Sequence, residues 1–163
     1  MKNYIAITIT GTDMEDLRVV NEKILRYTQH ELHENCLRVL GVCVAEWVLP
    51  VESLLRLSNE KPMLASEQSN INLAYLTYAR LQAIKVQGGN YAALLRIGIT
   101  LEVAAALARL SESQLQSVAT NAPTMVFALR SDIDGFRDLH HNVMPHAAVA
   151  MVAHHRSDRS VRH

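Results

Sequence analysis

The sequence predicts a mainly α-helical fold with a small β/α segment at its N-terminal end. Apolar residues recur at helical spacing from about residue 13 to 34 and again from residue 70 onward, whereas residues 4–10 show the alternation typical of a strand. Hydrophobic residues make up 49% of the chain and aromatic residues only 5%. Aliphatic side chains must therefore fill the core, which favours close packing of helices.

The first predicted elements are a strand at residues 4–10, which Gly11 ends, and a helix at about residues 13–34. The next apolar run, residues 36–49, is rich in β-branched side chains and closes at Pro50. A strand and a buried helix both fit this run, because periodicity alone does not separate them.

The polar segment Asn59–Pro62 contains a helix-breaking proline, and the composition changes across it. We place a boundary there, which divides the chain into an N-terminal extension (residues 1–62), a helical core (residues 63–130) and C-terminal helices with a basic tail (residues 131–163). Met63 follows directly. Residues 1–62 are then either a true extension or translated sequence upstream of the usual start.

The longest core helix is predicted from Asn70, as its N-cap, to residue 87, before Gly88 and Gly89. Apolar residues cover most of its circumference, so it must be buried on two sides. We infer that self-association supplies the second side and makes the protein a homodimer.

Shorter elements are expected after this helix. The sequence predicts three short helices at about residues 91–97, 101–110 and 112–119, and an extended segment at residues 124–129. It also predicts two later helices, one that passes through Phe136 and one that begins at Pro145.

The charge balance argues against a self-sufficient DNA-binding protein. Lys plus Arg equal Asp plus Glu at 16 each, whereas neutralisation of phosphates usually needs a marked basic stripe. If this chain contacts DNA, a partner must supply much of the positive charge.

No apolar run reaches the roughly 18 residues of a membrane span, and the N-terminus does not resemble a secretory signal. We therefore expect a cytoplasmic protein without membrane contact.

No residue pattern indicates catalysis. The chain has eight histidines, six of them after residue 139, but none forms an i, i+4 ligand pair within an uninterrupted helix. Cys36 and Cys43 would lie about 10 Å apart on a helix, too far for a disulfide. Nucleophile–histidine signatures and glycine-rich phosphate loops are also missing from the sequence. We predict no enzymatic activity, cofactor, metal or disulfide.

Four landmarks follow one another in the helical core: Asn70–Leu76, Arg96–Ile99, Leu110–Asn121 and Phe127. In this order and spacing they resemble the FlhD family of bacterial flagellar transcriptional regulators. The resemblance covers about residues 67–130 and continues more loosely to residue 152. It implies an all-helical homodimer that joins FlhC, binds promoters of flagellar operons and helps to recruit RNA polymerase.

Six residues are predicted to bind DNA or the partner subunit: Arg96, Asn121, His146, Arg137, Arg156 and Arg159. The first three match family positions that are candidates to face DNA or FlhC. Arg137 lies near the place of a Ser-Arg-Val element on the family's DNA surface, and the tail arginines are suited to phosphate contacts.

Two of the departures from the family pattern bear directly on function. Met125 stands where the family has a cysteine that links two subunits, so the resemblance implies a dimer held by packing alone. Asp134–Phe136 replaces the basic Ser-Arg-Val element. This replacement favours an alternative in which the protein keeps the core as an interaction protein or anti-regulator without promoter binding. A third interpretation is a small-ligand sensor, if residues 5–49 form a βαβ unit.

Overall fold

The computed structural model describes residues 11–133 and residue 135, and this part of the chain folds into seven helices and one two-stranded sheet. In chain order the elements are α1 (Gly11–Tyr27), α2 (Glu34–Val39), β1 (Ala45–Trp47), α3 (Val51–Ser58), α4 (Glu67–Gln87), α5 (Ala92–Ile97), α6 (Leu101–Ala108), α7 (Glu112–Asn121) and β2 (Phe127–Leu129). The predicted mainly helical fold class is confirmed. The strand predicted at residues 4–10 lies outside the described residues.

Helix α1 is shorter than the helix predicted at residues 13–34. Its end is marked by Gln29, which adopts a left-handed conformation with φ of 57°. The backbone N–H of His30 donates to the carbonyl of Leu25 at 2.9 Å. This is a Schellman-type helix end, in which glycine usually occupies the left-handed position. A glutamine at this position gives the sequence no recognisable stop signal.

The apolar run that follows α1 contains both a helix, α2, and a strand, β1. Strand β1 pairs antiparallel with β2, with Trp47 opposite Phe127. Asn21 on α1 is fully buried and fixes the chain segment that leads into β1. Its Nδ2 donates to the Val42 carbonyl at 3.1 Å, and its Oδ1 accepts from the Val44 N–H at 2.9 Å. The N-terminal β/α segment therefore belongs to the same core as the helices.

Helix α4 is central and packs against α1, α5, α6 and α7. It begins before the predicted Asn70, because Ser66 and Ser69 form a reciprocal capping box with distances of 2.7 and 3.1 Å. The two-sided burial predicted for this helix is present within one chain, since α1 covers a second side. Burial of α4 alone therefore does not require a second copy, and the homodimer stays a prediction.

The three predicted short helices are confirmed as α5, α6 and α7, and the predicted extended segment contains β2. Thr100 caps α6 by accepting from the Val103 N–H at 3.2 Å, while Ser111 and Gln114 form the capping box of α7. Gly98 ends α5 with φ of 74°, a left-handed conformation that favours glycine. Helix α3 has no counterpart in the prediction. The helices predicted through residue 136 and from residue 145 lie outside the described residues.

The linker between α3 and α4, residues 59–66, contains the predicted boundary. Elements on both sides of it share one core, because α3 packs against α6 and α7 and β1 pairs with β2. The functional division of the chain at residue 62 stays a prediction. None of the helices that the structure describes is long and apolar enough to cross a bilayer.

Candidate functional site

Three of the four sequence landmarks meet at Tyr75 of α4. The Tyr75 ring centroid lies 4.9 Å from that of Phe127 on β2 and 6.1 Å from that of Trp47 on β1. The Tyr75 hydroxyl donates to the carbonyl of Ile97 at the end of α5, at 3.1 Å. Tyr75 is fully buried. These landmark residues are therefore packing positions of one core and not a surface site.

Asn72 ties the first landmark to the chain after α7. Its side chain is fully buried. The Oδ1 atom accepts from the Val126 N–H at 3.0 Å, and Nδ2 donates to the carbonyls of Ala119 at 3.4 Å and Thr124 at 3.3 Å. These bonds fix the turn that leads from α7 into β2. Asn72 thus positions the strand that carries Phe127.

Arg96, a predicted contact for DNA or the partner, lies inside the fold. Its side chain is 4% exposed. Nη1 donates to Gln82 Oε1 at 2.7 Å, and the Arg96 carbonyl accepts from the Cys43 N–H at 2.6 Å. Arg96 therefore connects α5 to α4 and to the segment before β1. In this conformation it offers DNA or a partner almost no surface, and its predicted binding role stays a prediction.

Arg96 belongs to a buried polar cluster with Tyr78 and Gln82. Three polar atoms of this cluster, Tyr78 Oη, Gln82 Nε2 and Arg96 Nε, have no hydrogen-bond partner within the described part of the chain. Burial raises the pKa of the Tyr78 hydroxyl, although the positive charge of Arg96 opposes this shift. Tyr78 is therefore a neutral hydroxyl at physiological pH, and the cluster carries the charge of Arg96 alone.

Asn121, the second predicted contact, holds the linker in place. Its Nδ2 donates to the Lys61 carbonyl at 3.0 Å, and the adjacent Thr120 Oγ1 accepts from the Met63 N–H at 3.1 Å. The linker exposes two large apolar side chains, Met63 at 66% and Leu64 at 94%. We call these two side chains the linker surface.

Sequence reasoning missed Arg130, which is only 1% exposed. Its Nε and Nη2 bind the Asp132 carboxylate at 3.0 and 2.9 Å, and Nη1 lies 3.5 Å from Glu46 Oε1 on β1. The Arg130 N–H also donates to the Val44 carbonyl at 3.0 Å. Arg130 therefore joins β1 to the chain after β2. The close spacing of Arg130 and Asp132 is the only sequence signal of this arrangement.

The four remaining predicted contacts, His146, Arg137, Arg156 and Arg159, lie outside the described residues, and their binding roles stay predictions. Within residues 11–133, no three His, Cys, Asp or Glu side chains come together in a way that could hold a metal ion.

Both cysteines are buried thiols, and neither forms a disulfide among the described residues. Burial raises the pKa of Cys36, and it raises the pKa of Cys43 to about 12. A thiol with a raised pKa is protonated at physiological pH and is a poor nucleophile and a poor metal ligand. The two cysteines therefore act as small apolar side chains of the core.

A family model described as the flagellar transcriptional activator FlhD matches residues 49–158, more than half of the chain. This protein belongs to the FlhD family. The match contains all four landmarks and the linker surface. It also contains Arg96 and Asn121, the two predicted contact residues that the structure describes. No curated protein and no solved structure matches the chain. The FlhD family is one of transcriptional activators, which is not an enzyme class.

The first three elements, α1, α2 and β1, precede the FlhD match. They nevertheless complete its core, because β1 pairs with β2 and α1 packs against α4. The FlhD-type part of this chain therefore shares its core with a preceding segment that the family model does not include.

Proposed function

We propose that this protein is an FlhD-type subunit of a transcriptional activator that assembles with an FlhC-type subunit. In this proposal the complex binds promoters of flagellar operons in the cytoplasm and helps to recruit RNA polymerase. The observation that carries the proposal is the family match over residues 49–158. The core contacts of Tyr75 and Asn72 support it, because they join landmark residues from different segments in one core.

The distribution of charge supports a need for a partner in DNA binding. Seven basic residues lie between residues 49 and 133: Arg56, Lys61, Arg80, Lys85, Arg96, Arg109 and Arg130. Two of them, Arg96 and Arg130, are buried, and two others, Arg56 and Lys85, pair with carboxylates. Within residues 49–133, few cations are therefore left to neutralise phosphates, and phosphate neutralisation supplies most non-specific affinity for DNA.

We place the contact with the FlhC-type subunit at the linker surface. Leu64 is almost completely exposed although α7 anchors the neighbouring backbone through Thr120 and Asn121. Because the backbone beside Leu64 is already anchored, burial of this side chain costs little backbone entropy and contributes efficiently to binding. Asn121 acts in this proposal by positioning the linker.

The partner contact is tested by measuring assembly of the purified chain with the FlhC-type subunit of the same bacterium. Leu64→Ser should weaken assembly by about 1–3 kcal/mol, because it removes a buried apolar contact. Leu55→Ser is the matched control, since Leu55 on α3 is 46% exposed and does not belong to the linker surface. Equal assembly of the two variants would place the partner contact elsewhere.

Promoter binding is tested by fluorescence anisotropy with a labelled flagellar promoter fragment. The mixture of both subunits should bind the promoter, and its affinity should fall steeply with salt, by a slope of about 0.9 in log units for each phosphate neutralised. The chain alone should bind weakly. Tight, sequence-specific binding by the chain alone contradicts the proposed division of roles.

A further inference from the structure

No carboxylate of the described residues neutralises the buried charge of Arg96. The side chain is 4% exposed, and it takes part in none of the ion pairs among residues 11–133. A charge that leaves water is normally paired, because its lost hydration must be replaced. The hydrogen bond from Arg96 Nη1 to Gln82 Oε1 supplies an acceptor but no negative charge. The charge of Arg96 is therefore left for an anion to balance.

The cluster of Tyr78, Gln82 and Arg96 also contains three donors that have no acceptor within the described part of the chain. They are Tyr78 Oη, Gln82 Nε2 and Arg96 Nε, and all three atoms are shielded from solvent. Turning the Gln82 amide round does not remove this shortage, because its nitrogen would then face the Arg96 Nη1 donor. The Gln82 amide nitrogen is thus fixed as a donor.

Two neighbouring helices bring these donors together. Tyr78 and Gln82 are four residues apart on α4, so their side chains lie on one face of that helix. Arg96 reaches this face from α5 and is held there by its bond to Gln82 and by the bond from the Cys43 N–H to its carbonyl. The positive charge of Arg96 also acts on the Tyr78 hydroxyl. An acceptor placed in this cluster would join α4 to α5.

The surroundings of the cluster indicate the size of the acceptor. A groove of about 460 Å³ between α1 and α4 has Tyr78 among its lining residues, and it offers a small ion a path from solvent. The donor atoms themselves are enclosed. A phosphate would bring more oxygens than three donors satisfy, and a water molecule would leave the charge of Arg96 unbalanced. A monatomic anion meets both requirements.

We propose that Tyr78, Gln82 and Arg96 form a binding site for a small monovalent anion of the halide class, such as chloride. The anion accepts from the Tyr78 hydroxyl, the Gln82 amide and Arg96 Nε, and it neutralises the guanidinium. Arg96 also bonds to Cys43, which precedes the family match. The bound anion therefore stabilises the junction of α4, α5 and the N-terminal segment, and this site is independent of the activator function proposed above.

The test is thermal unfolding of the full chain at increasing chloride, with sodium gluconate keeping the ionic strength constant. An anion that binds only the folded chain raises the melting temperature, and we expect a rise of about 3–6 °C up to about 0.2 M chloride. Tyr78→Phe removes one donor and should weaken chloride binding about tenfold. Tyr91→Phe is the matched control, because it removes a hydroxyl from a ring that is 62% exposed and outside the cluster. This variant should keep the full rise.

Gln82→Glu provides a second variant with a different expectation. Its carboxylate supplies the counter-charge from within the chain, so the melting temperature in gluconate should exceed that of the wild type and chloride should no longer raise it. In a crystal grown from sodium bromide, the wild type should show anomalous density among the three donor atoms.

Three results would overturn the inference. One is a wild-type melting temperature that does not rise with chloride. Another is a rise that Tyr78→Phe or Gln82→Glu retains in full, because chloride would then act elsewhere on the chain. The third is an ordered water molecule, without anomalous density, bound to the three donors in the bromide crystal.

Discussion

Replacement of Asn72 by alanine should destabilise the fold strongly, because one side chain serves three backbone groups. The change removes the acceptor of the buried Val126 N–H, at 3.0 Å, and the donor that binds the carbonyls of Ala119 and Thr124. An unsatisfied buried backbone group costs about 1–3 kcal/mol, and a typical hydrogen bond contributes about 0.5–1.5 kcal/mol. The two carbonyl bonds, at 3.4 and 3.3 Å, are long and count at the lower end.

Together these contributions give an expected loss of about 2–5 kcal/mol in the free energy of unfolding for Asn72→Ala, a large part of the stability of a small domain. The assay is urea denaturation followed by circular dichroism. Asn70→Ala is the matched control, since Asn70 is exposed on the same helix and should change stability by less than about 0.5 kcal/mol. Equal urea midpoints for the two variants would show that Asn72 does not hold the turn before β2.

Three further predictions follow from buried groups and from the N-terminal segment. Arg96→Ala leaves Gln82 Oε1 without its donor, so thermal unfolding should show a loss of about 1.5–3 kcal/mol, whereas unchanged stability would point to a surface role for Arg96. The neutral Cys43 thiol stabilises the fold fully below its ordinary pKa of 9.0, and this stabilisation is lost as pH rises towards the pKa of about 12 in the folded protein. Urea midpoints of the wild type should therefore fall more steeply above pH 9 than those of Cys43→Ala, and parallel pH profiles would contradict the raised pKa of Cys43. A chain that starts at Met63 lacks α1 and β1 and exposes the aromatic cluster around Tyr75, so we expect aggregation or non-cooperative unfolding, while a cooperative melt would show that residues 63 onward fold alone.

Local signals in the sequence were sufficient to predict the short helices. Thr100 before α6 and the Ser111–Gln114 pair before α7 are capping patterns that act within one turn, so the sequence alone reveals them. The same kind of reasoning missed two helix ends. The capping box of α4 uses serine at both positions, and α1 ends on a left-handed glutamine instead of glycine.

Contacts between distant segments could not be predicted in this way. Trp47 and Phe127 pair across a large separation in sequence, and the second side of α4 is covered by α1 of the same chain. The sequence therefore indicated correctly that α4 is buried on two sides, but it could not show which segment covers it.

The candidate site was predictable only in part, for a related reason. Arg96 is the single basic residue of a short helix, a pattern that favours a solvated or binding side chain over a buried one. Its burial depends on Gln82 from another helix. Leu64 was missed because a leucine in a polar linker carries no periodic signal, and only the anchoring of the linker by α7 makes its exposure informative.

Transcript levels in the native bacterium show whether this chain is an activating subunit for flagellar operons. We predict that deletion of the gene lowers flagellar-operon transcripts. The wild-type chain should restore them. Leu64→Ser, which we expect to be expressed and folded but to assemble poorly with the partner, should not. Unchanged flagellar transcripts in the deletion strain, with the FlhC-type subunit still present, would show that this chain does not activate flagellar operons.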